Sequence, residues 1–158
     1  MRKPAFYAVL YVVGVALISI FGVAKDETVE ELKARLESAH PEDRPELCIR
    51  IARHQLRNAD KLYSDGNIEK ASAAVDEIVI YSEKARDAAT QTKKHLKNVE
   101  IDVRKIAEKL RDIKRTLAFD DQAPIDKAIR RLEDVRTSLL KEMFAKDSKT
   151  KDSKKEKQ

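Results

Sequence analysis

Residues 96 to 117 read Leu-Lys-Asn-Val-Glu-Ile-Asp-Val-Arg-Lys-Ile-Ala-Glu-Lys-Leu-Arg-Asp-Ile-Lys-Arg-Thr-Leu. Leu96, Val99, Val103, Ile106, Leu110, Ile113 and Leu117 recur at alternating spacings of three and four, which is the seam of a coiled coil. Such a seam needs a partner helix, and the nearest one follows directly. Ile125, Ile129, Leu132, Val135 or Arg136, Leu139 and Met143 form a matching stripe. Between the two lies Asp120-Asp121-Gln122-Ala123-Pro124, with acids ahead of a helix start and proline in its first turn. The pattern predicts an antiparallel coiled-coil hairpin of residues 95–118 against 124–144.

Working outward toward the N-terminus, breakers are sparse. Beyond residue 24 the only ones are Pro41, Pro45, Gly66 and Pro124, and no segment alternates with the period of a strand. The chain therefore reads as all-α, with helices over 27–38, 45–64, 67–118 and 124–144. Val29, Leu32 and Leu36 share one face of the first. Cys48, Ile49, Ala52, Leu56, Ala59, Leu62 and Tyr63 mark the buried stripe of the second. Gly66 suits the left-handed residue that closes a helix, and Asn67 suits the cap of the next. Ile68, Ala71, Val75, Ile78, Tyr81 or Ser82, and Ala85 then mark a further stripe, so two antiparallel helices are expected to pack across Gly66. With neither Gly nor Pro between Asn67 and Leu117, one helix of about 50 residues is expected there, roughly 75 Å long. It is continuous or mildly bent, with its softest point at Ala88-Ala89-Thr90-Gln91-Thr92.

The run Ala59-Asp60-Lys61-Leu62-Tyr63-Ser64-Asp65-Gly66-Asn67-Ile68-Glu69-Lys70-Ala71 resembles the centre of a tetratricopeptide repeat. Small residues stand at Ala59, Gly66 and Ala71, and bulky ones at Leu62 and Ile68. The resemblance covers residues 47–88 and implies a closely packed helical hairpin of the kind that, in arrays, holds peptides or partner proteins. There is no second copy at the same period, and a concave peptide-binding surface needs about three stacked repeats. The family's binding residues therefore do not carry over.

Residues 4–24 hold no charge, follow Arg2 and Lys3, and end before Lys25. Residues 1–24 thus read as an export signal, with Gly22 and Ala24 as the small pair before a cut at Lys25. The alternative is a retained N-terminal anchor, since the stretch is long enough for one helix across the roughly 30 Å hydrocarbon core. The single cysteine, Cys48, stands too far away to accept a lipid at the processing site. In an oxidising compartment it has no internal disulfide partner, which leaves a buried apolar residue or an intermolecular thiol. Residues 145–158, lacking large apolar side chains and rich in lysine, are expected to be a disordered tail.

The formal charge is +5, but residues 25–144 carry 25 bases and 25 acids. The excess sits in the signal and the tail, so the net charge gives no basis for a nucleic-acid surface. No metal site is expected, because none of His40, His54 and His95 has a second His or Cys at helical i+3 or i+4 spacing. Cys48 and His54 are six apart, on different sides of a helix. The chain beyond residue 24 has one glycine and no phosphate-cradling loop, so no cofactor and no catalytic residues are assigned. Lys93, Lys94, Lys97, Arg104, Lys105, Lys109, Arg111, Lys114 and Arg115 crowd one stretch. They read either as a solvated face stitched by local ion pairs or as a ridge for anionic polymer or phospholipid.

The resulting expectation is an exported, non-catalytic helical protein, periplasmic or secreted, or anchored in the inner membrane if residues 4–24 are kept. It would act as an interaction or scaffold module of a bacterial-type envelope, binding a protein partner or itself. Alternatives are an envelope protein that holds anionic cell-wall polymer or membrane through basic residues and tail, and a small periplasmic chaperone or stress sensor.

Overall fold

A computed structural model describes residues 27–155, with side chains through residue 145. The segment assigned to export lies outside the described residues. Five α-helices follow in order, α1 Val29–Ser38, α2 Arg44–Ser64, α3 Ile68–Thr92, α4 Leu96–Thr116 and α5 Ala123–Lys155, with a short 3-10 turn at Phe119–Asp121 before α5. Among the described residues there is no strand, and the all-α reading holds.

Local chemistry sets the helix ends. Thr28 and Glu31 form a reciprocal capping box at the start of α1. Pro45 lies in the first turn of α2, where its missing N–H costs nothing. At the far end Asn67 N–H donates to the Leu62 carbonyl at 2.8 Å and Gly66 N–H to that of Tyr63 at 3.1 Å. With Gly66 at φ 75° this is a Schellman close, which turns the chain sharply into α3.

The long helix expected over 67–118 is instead two helices, broken at Lys93, Lys94 and His95. Lys93 and His95 both take left-handed backbone, at φ 56° and φ 62°, and α4 runs back along the core. The break comes just after the soft stretch 88–92, where Thr92 turns its hydroxyl onto the Ala88 carbonyl at 2.8 Å. The reversal lets the seams of α3 and α4 face one shared core, a gain that outweighs about 1–2 kcal/mol for each left-handed non-glycine residue. A second difference lies at the C-terminus. The last helix runs to Lys155 and not to residue 144, so the backbone of 145–155 is helical where a disordered tail was expected. That stretch has neither Gly nor Pro to stop a helix already started.

Cross-helix ion pairs give the packing directions. Arg53 pairs with Asp102, and seven residues further on Asp60 pairs with Lys109, so α2 and α4 lie side by side and parallel. Arg131 meets Glu83 and Lys93 meets Glu142, so α3 and α5 are parallel as well. Lys33 reaches Glu77, while Leu36 and Glu37 lie near Lys84 and Ala88, which sets α1 parallel to α3 on the opposite side. The α4–α5 hairpin thus stacks on the α2–α3 hairpin at an offset of about 49 residues, and α1 packs against α2 while reaching α3 through its side chains.

The core runs through every layer. Leu96, Val99, Val103, Ile106, Leu110 and Ile113 are all at most 6% exposed, as the seam requires, and on α5 the buried stripe is Ile125, Ala128, Leu132, Val135 and Leu139. Ile129 and Met143 are only partly buried, and Val135 rather than Arg136 faces inward. The α3 helix buries more than one stripe, adding Ala74, Val79 and Ala89, because it is packed from three sides.

Candidate functional site

Two polar clusters tie the layers together. In the first, Lys33 Nζ of α1 donates to both oxygens of Glu77 on α3, at 2.8 and 2.9 Å, and Gln55 of α2 donates to the same carboxylate. The hydrogen bond with Glu77 holds the Lys33 ammonium above its ordinary pKa. In the second, Arg136 donates from Nε and Nη2 to one oxygen of Glu100, each at 3.0 Å, and from Nη1 to Glu133 at 2.8 Å. Arg111 reaches the other oxygen of Glu133. Each cluster joins helices from different layers or hairpin arms, so both are devices of assembly.

Most of the crowded basic stretch has the same role. Lys93 pairs with Glu142, Lys94 with Glu42, Lys109 with Asp60, Arg111 with Glu133, Lys114 with Asp126 and Arg115 with Asp112. Lys97, Arg104 and Lys105 are exposed on α4. The stitched face therefore prevails over a continuous cationic ridge. Exposed pairs of this kind contribute about 0.2–1 kcal/mol each, with direction more than strength as their consequence.

The sequence-singled groups of possible reactivity do not converge. His40 is exposed in the α1–α2 turn, His54 is half-buried on α2, and His95 is exposed at the α3–α4 break. Among the described residues no three His, Cys, Asp or Glu side chains gather as a metal site would need. Cys48 is 2% exposed and free, and burial pushes its thiol up to about 11, so it behaves as a small apolar residue of the core. Asp120 and Asp121 lie in the 3-10 turn, and the α5 start is set by the Gln122 carbonyl, which accepts from Asp126 N–H at 3.0 Å.

The surface is more informative along the parallel α2–α4 seam and at the two bundle ends. The seam opens at one end into a cleft of about 340 Å³ beside Ile49, His95 and Ile101, and at the other into one of about 460 Å³ beside Tyr63, Ser64 and Thr116. Tyr63 is 6% exposed, and its hydroxyl has no hydrogen-bond partner among the described residues. Phe119 stands 87% exposed at the tip of the α4–α5 turn, and Phe144 stands 66% exposed on α5 at the opposite end. Neither aromatic was singled out by periodicity, since both lie off the buried stripes. The seam was equally invisible, because it depends on which helices lie side by side.

The chain matches no protein-family model, no curated protein and no solved structure.

Proposed function

We propose that this chain is an exported, non-catalytic helical protein that works by binding, as an interaction or scaffold module of a bacterial-type cell envelope. Export rests on the uncharged stretch 4–24 behind Arg2 and Lys3. No helix among the described residues is long and apolar enough to cross a membrane. The α2–α3 unit is read as a hairpin like that of tetratricopeptide repeats, supported by Ala59 and Ala71, both 0% exposed, which let the two helices approach closely.

The observation that carries the binding role is the end of α5. Leu139 is fully buried, Phe144 five residues later is 66% exposed, and the helix continues to Lys155. The eleven residues after Phe144 extend it by about 16 Å at 1.5 Å per residue. A helix that continues eleven residues past an exposed aromatic offers a face along which another helix can lie. The experiment is in-cell photo-cross-linking from position 144 of the full chain, with sedimentation of the purified protein. Adducts to one protein species or to a second copy are expected, and sedimentation of Phe144→Ser, without the cross-linker, should show the association lost. A strict monomer that yields no adduct from position 144 would remove the reading.

A further inference from the structure

The parallel α2–α4 seam has two closed rungs and one open rung between them. On α2 the seam stripe is Arg53, Arg57, Asp60, spaced four and three; on α4 it is Asp102, Lys105, Lys109, spaced three and four. The outer rungs are complementary, Arg53 with Asp102 and Asp60 with Lys109, the latter at 3.0 Å. Both helices advance seven residues between those rungs, so they run in step, and residues three or four apart share a face. The middle rung therefore sets Arg57 opposite Lys105, within about one residue rise of the same height. Both are exposed, and among the described residues neither forms an ion pair.

A like-charged rung is out of keeping with the rest of the seam. Like charges facing each other repel, and each outer rung sets an acid against a cation. Lys105 has Glu108 one turn along its own helix and does not pair with it. We propose that the Arg57–Lys105 rung binds one compact oxyanion of the phosphate class. The guanidinium fork takes two of its oxygens, and the ammonium serves as a point charge on a third. Asp102 and Asp60, each held by its own cation, border the rung above and below, which limits it to a compact phosphate or diphosphate and not a long polyanion. That group is a free phosphate or the phosphate of a lipid headgroup. The inference is independent of the partner role given to α5.

The test follows thermal unfolding of the full chain at fixed ionic strength, in chloride and with increasing pyrophosphate. Wild type should show a saturable rise in Tm with pyrophosphate beyond that in chloride. In the R57Q/K105Q double variant the apparent affinity should fall by at least about tenfold. Its Tm in chloride should match or exceed wild type, since a repulsion is removed without touching the core. A K97Q/K127Q variant, which removes exposed lysines elsewhere, should respond like wild type. Equal responses from the wild type and R57Q/K105Q, or a response lost equally in K97Q/K127Q, would overturn the site, as would a flat wild-type titration. Co-sedimentation with phosphatidylglycerol vesicles that R57Q/K105Q abolishes assigns the phosphate to a headgroup. A pyrophosphate response without vesicle binding assigns it to a soluble phosphate.

Discussion

Arg136 on α5 meets Glu100 on α4 with two guanidinium nitrogens on one carboxylate oxygen, both at 3.0 Å, and Glu100 is only 9% exposed. A carboxylate withdrawn from water to that degree depends on its cation. Arg136→Ala is expected to lower stability by roughly 2–4 kcal/mol, because it leaves Glu100 buried without a charge partner. The Arg136→Met, Glu100→Leu double variant should recover most of the loss, since an apolar pair of similar volume avoids the desolvation cost. Urea unfolding of the three proteins checks this, and equal losses in the single and double variants would refute it.

Acid should weaken the fold through a definable set of carboxylates. Burial pushes Glu133 up, but Arg111 and Arg136 outweigh it and hold the group below the ordinary value of 4.5. Glu27 is held low first by its hydrogen bond with Arg35, and Glu42 by that with Lys94. A folded-state value below the unfolded one means that the unfolded chain takes up protons first as pH falls. The stabilisation is therefore complete above about 4.5 and is lost as pH drops through the lowered folded values. Unfolding free energy measured at pH 7, 5 and 3 should stay nearly level over the first step as far as these groups act, then decline. Glu133→Gln should decline less steeply than wild type over the second step.

His95 holds left-handed backbone at φ 62° while its carbonyl accepts from Val99 N–H at 2.9 Å. Glycine keeps that hydrogen bond and removes the steric cost of Cβ. His95→Gly should raise stability by about 1 kcal/mol, and His95→Val should lower it. Gly66→Ala at φ 75° should cost about 1 kcal/mol through conformation alone, as nothing lies within 4 Å of an added Cβ. Thermal unfolding reads all three, and a destabilised His95→Gly would contradict the break at this residue.

The thiol of Cys48 should be inert in the native protein, being 2% exposed with its pKa pushed up to about 11. Leu32, 0% exposed, is the only fully buried anchor of α1. Leu32→Ala should cost about 2–4 kcal/mol and speed Cys48 modification by a soluble thiol reagent, because α1 then lifts from the shallow cleft that Leu36 and Glu37 line together with Cys48. Modification of wild type as fast as of the urea-unfolded chain would contradict this burial.

Much of the fold was readable because helical periodicity is a local signal. Leu96 through Ile113 are buried as their spacing demands, and Gly66 closes α2 as its freedom of φ suggests. The break at 93–95 was hidden for a specific reason. Ala71, Val75, Ile78, Ser82, Ala85 and Ala89 keep the same three-and-four rhythm as Leu96, Val99 and Val103, so the pattern runs straight through it. Lys93 is also an uncommon left-handed residue, and His95, though more tolerant of that region, does not announce a turn as glycine would. The Arg57–Lys105 rung was hidden more deeply. Each half is an unremarkable surface cation, and they become neighbours only when α2 and α4 lie parallel, which no local spacing encodes.

Stacking by translation also gives the molecule polarity. A hairpin laid on its neighbour in the same orientation repeats head over head, so the two outermost flanks are unlike. One is roofed by α1, and the other is the outer side of α4 and α5, which no further helix among the described residues covers. Anything that lies along this protein would meet an arrow, and could dock in one sense and not in the reverse.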